Sequence, residues 1–134
     1  LASALAWLVN HPESSALTTD LVAYLIATHH GKIRLSLRSM PGEIEPDETD
    51  RLFARGVWDG DRLPAVELAD GSTVGPTNLD LAVMRMGDSS GGTSWLSRML
   101  SLRDDPALGP FRLSFLETLL RAADGRASAS AKGT

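Results

Sequence analysis

Cysteine is absent from this chain. Its absence excludes a disulfide framework, thiolate-bound zinc and a cysteine nucleophile, and it fits a reducing, cytoplasmic compartment. Lysine is nearly absent, two residues against eleven arginines, a bias that reflects genomic base composition more than mechanism. No apolar run approaches the roughly 18 residues of a membrane span, and no charged-then-apolar leader opens the chain. Neither a bilayer helix nor a signal peptide is expected. Positive charge is in deficit, with a net of −4, which argues against a protein that coats polyanions and confines any nucleic-acid contact to a local patch. What is present, 134 residues at 43% hydrophobic, suffices for the core of one domain.

The first third reads as helical. Leu1, Leu5, Leu8 and Val9 recur at helical spacing until Pro12 stops them. Ser14 or Ser15 then caps a second helix, whose face Leu21, Val22, Leu25 and Ile26 leads to His29, with Gly31 placed to end it. The period changes next. Ile33, Leu35 and Leu37 alternate with Lys32, Arg34, Ser36 and Arg38, the pattern of a strand with one greasy and one basic face. From Met40 to about Gly92 the chain is dense in Gly, Pro and Asp, which predicts an insertion of short strands with a hairpin over Leu63–Val74 turning at Asp70-Gly71, and a helix near Asn78–Met86. Helical spacing resumes at Ser94–Arg103. Pro110 opens the last helix, in which Phe111, Phe115, Leu116, Leu119 and Leu120 are expected to face the core, and from Ala127 onward order is expected to fade.

Two elements carry chemistry. His29 and His30 offer two imidazoles about 100° apart around a helix end, enough to approach one metal ion from two directions. Asp124 is a lone acid among small residues, Ala122, Ala123, Gly125 and Ala127, which allow its helix to approach others closely. Each has a plainer reading, since the helix dipole alone favours histidine at a C-terminus and Asp124 can pair with Arg121 or Arg126. His11 reads as an exposed loop residue and the three tryptophans as packing anchors. Asp59-Gly60-Asp61 reads as a turn, because the later ligands of a calcium loop are missing.

The stretches Tyr24-Leu25-Ile26-Ala27-Thr28-His29-His30-Gly31-Lys32 and Leu119-Leu120-Arg121-Ala122-Ala123-Asp124-Gly125-Arg126-Ala127-Ser128 resemble the HD phosphohydrolase superfamily. More narrowly, the chain is similar to the HD nuclease domain of the CRISPR-associated helicase–nuclease of type I interference systems. The middle, around Phe53–Gly60, looks like the insertion of the I-G/I-U variant subgroup. The resemblance implies a mainly α fold: the C-terminal portion of an HD-type helical bundle over residues 1–128, a small β-containing insertion at about 32–92 and a disordered tail at 129–134. The family's early histidine, its paired His-Asp and a histidine one turn before a Ser-Ala would fall upstream of Leu1, given Ser3-Ala4. That reads as a piece of something longer.

The implied activity is metal-dependent cleavage of single-stranded DNA, beside a helicase module of the same parent protein and in company with a CRISPR surveillance complex, with no membrane partner. His29, His30 and Asp124 would be metal ligands and catalytic residues, the histidines on one ion and Asp124 on the other. Ions about 3.5–4 Å apart activate water and stabilise the attacking and leaving oxygens of a phosphodiester. Imidazole ligation favours manganese, iron, cobalt or nickel over magnesium. Ser128, one turn beyond Asp124, is expected to orient its carboxylate. From position alone, Lys32, Arg34 and Arg38 are expected to guide DNA phosphates. The alternatives are an HD phosphohydrolase acting on nucleotides and a catalytically silent docking domain.

Overall fold

The computed structural model describes residues 1–12, 16–29, 33, 35–43, 51–88 and 92–131. Among these are four α-helices: α1 (Ala2–Asn10), α2 (Ala16–Thr28), α3 (Trp95–Asp104) and α4 (Gly109–Ala131). Between α2 and α3 lie three short antiparallel strand pairs and one 3₁₀ turn at Ala82–Met84, where a longer helix was expected. Mainly α is the class these elements support. One apolar core joins both regions, built on Leu5, Tyr24, Leu81, Trp95, Met99 and Leu102.

α3 begins where its residues dictate. The Ser94 hydroxyl accepts the Ser97 N–H at 3.2 Å, satisfying one of the orphan donors of the first turn. The helix stops at Asp104, and Asp105 Oδ1 takes the N–H groups of Ala107 and Leu108 at 2.8 and 3.0 Å. Chain direction reverses there. Met99 and Leu102 of α3 are buried with Leu113 of α4, so the two form an antiparallel helical hairpin. The expected caps of α2, Ser14 or Ser15 and Gly31, lie outside the described residues.

The expected hairpin is present and longer than its sequence signal. β4 (Val66–Glu67) pairs with β5 (Thr73–Val74), and the turn closes with Gly71 at φ +82. Below it, β3 (Arg62–Leu63) pairs with β6 (Thr77–Asn78) in the same register. That register sets Pro64 opposite Pro76, and neither has an N–H to give, so the ladder breaks there. The base is tied to α1 by Asn10 Nδ2 donating to Thr77 Oγ1 at 2.8 Å. A second hairpin, β1 (Phe53–Ala54) with β2 (Val57–Trp58), turns through Arg55 and Gly56 at φ +53 and +75. Two successive positive φ values make a type I′ turn, which matches strand twist. The Glu43 carboxylate secures it by accepting the N–H groups of Met40 and Gly56 at 2.8 and 2.7 Å. The 59–61 segment is a turn, as expected: Asp59 and Asp61 use their carboxylates on the N–H groups of Leu81 and Trp58.

Four expectations are corrected here. The segment around Ile33–Leu37 is not a strand among its described residues: Ile33 and Leu37 are buried, but Leu35 is 48% exposed. Alternation makes a two-faced strand only where a neighbour supplies a ladder, and among the described residues none is paired with it. His11 is half-buried, stacked on Trp7 with ring centroids 3.5 Å apart, its Nδ1 donating to the Trp7 carbonyl. In α4 the buried residues are Leu113 and Glu117, whereas Phe111, Phe115, Leu119 and Leu120 are exposed and Leu116 is half-buried. The helix is apolar over more than half its circumference, so periodicity alone could not choose the stripe. The helix also runs to Ala131, past the point at which order was expected to fade.

Length decides what α4 can bury. α3 has 10 residues and α4 has 23, about 15 Å against about 35 Å. Past Glu117, residues 118–131 are all exposed. Leu113→Ala should therefore cost roughly 2–5 kcal/mol in urea unfolding, and Phe115→Ala less than about 0.5 kcal/mol. The reverse order would return the core to the Phe111–Leu119 stripe.

Candidate metal centre

His29 follows the last turn of α2, and its backbone N–H still reaches the Leu25 carbonyl at 3.1 Å. Its Nδ1 lies 2.8 Å from the Ile26 carbonyl. A carbonyl only accepts, so Nδ1 carries the proton and, in the neutral ring, Nε2 carries the lone pair. Metal-ligating histidines are held in this way, one ring nitrogen fixed by a backbone oxygen. His30, Lys32 and Arg34 lie outside the described residues.

Asp124 sits on the exposed half of α4. Helical periodicity places it within about 20° of Glu117, on the line that begins at buried Leu113. It thus continues the core-facing side of α4, two turns past the last buried residue. Among the described residues its carboxylate has no hydrogen-bond or ion-pair partner. Ser128 is also exposed and its hydroxyl does not engage Asp124. Arg38 is exposed as well, off any strand.

A buried polar contact relates the two helices. Tyr24 of α2 is 9% exposed and Glu117 of α4 is 4% exposed. The Tyr24 hydroxyl donates to Glu117 Oε2 at 3.1 Å, and Arg121 Nη1 stands 3.5 Å from Oε1. An ion pair ties α2 to α3 as well: Asp20 accepts Arg98 Nη1 at 2.6 Å. Ala16 shares a cleft with Thr93 and Asp105, at the two ends of α3, and Tyr24 shares another with Met99 and Arg103. His29 is five residues past Tyr24 and Asp124 seven past Glu117, about 7.5 and 10.5 Å along their helices.

The buried carboxylates Glu117 and Asp20 were not singled out in the sequence. Glu117 had one signal, its place four residues after Leu113, hidden because the neighbouring apolar stripe is the larger. Asp20 had none, since its partner lies 78 positions away. Among the described residues no group of three or more His, Asp or Glu side chains is arranged to hold a metal ion. His29 and Asp124 are residue types that transition metals accept as ligands. No described helix is long and apolar enough to cross a membrane. Comparison with protein-family models, curated proteins and solved structures yields no match for this chain.

Tyr24→Phe removes the hydroxyl from a buried carboxylate while keeping the ring. It should lower stability by about 1.5–3 kcal/mol, the range for a hydrogen bond to a charged group. An unchanged urea midpoint would show that the contact does not hold α2 to α4.

Proposed function

We propose that this chain contributes His29, His30 and Asp124 to a two-metal phosphodiesterase centre of the HD type, acting on single-stranded DNA. The observation that carries the proposal is His29 Nδ1, 2.8 Å from the Ile26 carbonyl at the end of α2, the helix whose Tyr24 is hydrogen-bonded to Glu117 of the helix that bears Asp124. When bound, such ions supply an activated water and stabilise charge at the phosphodiester. The chain's own residues present imidazole Nε2 at the end of α2 and a carboxylate on α4. Lys32, Arg34 and Arg38 follow the histidines and can hold phosphates near them. The setting that goes with this reading is CRISPR interference in the cytoplasm, beside a helicase module and a surveillance complex.

Three side chains cannot fill two metal sites, so the direct readout is ion binding rather than turnover. Mn²⁺ titration followed by the electron paramagnetic resonance signal of the free ion should show weak binding by the chain. His29→Ala and Asp124→Ala should each weaken it roughly tenfold or more. Equal Mn²⁺ retention by both variants would overturn the assignment. Cleavage of single-stranded DNA by the chain alone should be negligible. Rapid metal-dependent cleavage abolished by His29→Ala would show that the ligand set is complete after all.

A further inference from the structure

The outer side of α4 has no role in the metal reading. Phe111 is 89% exposed, Phe115 63% and Leu119 49%. Successive members of this row are four residues apart, about 6 Å along the axis, and so form one continuous stripe. Arg112 and Arg126 fall on the same side by helical periodicity, whereas both acids of the helix, Glu117 and Asp124, fall on the opposite side. The Arg112 guanidinium donates to the Ala107 carbonyl, a neutral acceptor. Arg126 has no carboxylate partner among the described residues. On a chain with a net charge of −4, this is an acid-free face that combines aromatic rings with cations.

We infer that the outer face of α4 is a binding surface for single-stranded nucleic acid, with Phe111 and Phe115 stacking on unpaired bases and Arg112 and Arg126 holding phosphates. The inference rests on the nuclease reading for the choice of polymer and adds to it a track along the helix that carries Asp124. Charge selects the occupant. An apolar stripe meant for a protein helix needs no cations, while a strand of phosphates with exposed base faces satisfies both the rings and the arginines. Aromatic platforms combined with positive charge are the general solution for unpaired strands, because every base has a π-face.

The test is fluorescence anisotropy of a labelled oligothymidylate with the whole chain, in EDTA so that no metal contributes, at low and at physiological salt. The wild type should bind, more weakly as salt rises. Phe111→Ala/Phe115→Ala should weaken binding roughly tenfold or more, at an unchanged salt slope, with circular dichroism reporting that the helix is intact. Arg112→Gln/Arg126→Gln should reduce the slope by about 1.4, two phosphate contacts on a single strand. Several results would overturn the inference. These are no oligothymidylate binding by the wild type, equal binding by the phenylalanine variant, binding only to phosphatidylserine vesicles, and a self-association that the phenylalanine variant loses while DNA binding stays absent. The two readings fail separately. Mn²⁺ binding that depends on His29 and Asp124, with DNA binding indifferent to Phe111 and Phe115, removes only the α4 surface. The opposite pair of results removes only the metal centre.

Discussion

The hydrogen bond from Tyr24 to Glu117 is the constraint on which the arrangement of this molecule's chemistry depends. A carboxylate at 4% exposure is tolerable only when its oxygens are occupied, because desolvating a charge without partners costs far more than one contact returns. Burial therefore makes the bond directional. α4 can lie against α2 only at the register where the Tyr24 hydroxyl meets Oε2. The ion pair of Asp20 with Arg98 plays the matching role between α2 and α3. Two polar contacts thus fix three helices whose apolar faces alone would tolerate sliding.

The mismatch in length between α3 and α4 governs the rest. A 10-residue helix cannot cover a 23-residue partner, so α4 has one half in the core and one half in solvent. The buried half holds Leu113 and Glu117, and the solvent half holds Asp124 and Ser128. The hairpins between α2 and α3 do not relieve this exposure. Their ribbon is anchored at the far end of α1 through Asn10 and Thr77, and its outer pair carries Val66 at 52% and Val74 at 38% exposure.

Local chemistry was legible in the sequence where one residue decides the structure. Pro12 ends α1, helical spacing from Ser94 marks α3, Asp70-Gly71 turns a hairpin, and the Asp59–Asp61 segment is a turn. What escaped was decided by partners distant in the chain. Leu35 alternates like a strand residue, but strand formation needs a neighbour, and it lies instead between small cavities lined by Met84 and Trp95 on one side and by Tyr24 and Leu113 on the other. The core stripe of α4 was misread for a similar reason. Five large apolar residues outweigh Leu113 and Glu117 in any count, and only the position and length of α3 reverse the choice. The helix-end position of His29 was legible, while the Ile26 carbonyl that holds its Nδ1 depends on three-dimensional structure.

The central proposal is that positions 29 and 124, at the end of α2 and on the outer half of α4, come together in one centre. The absence of cysteine makes a direct measurement possible, because an introduced pair of thiols is then the only pair. A His29→Cys/Asp124→Cys variant treated with a short bis-maleimide should cross-link within the monomer. A His29→Cys/Phe111→Cys control should not, since residue 111 lies about 20 Å further back along α4. Cross-linking of the control at an equal or higher rate would mean that the helices oppose one another and that no metal centre spans these positions.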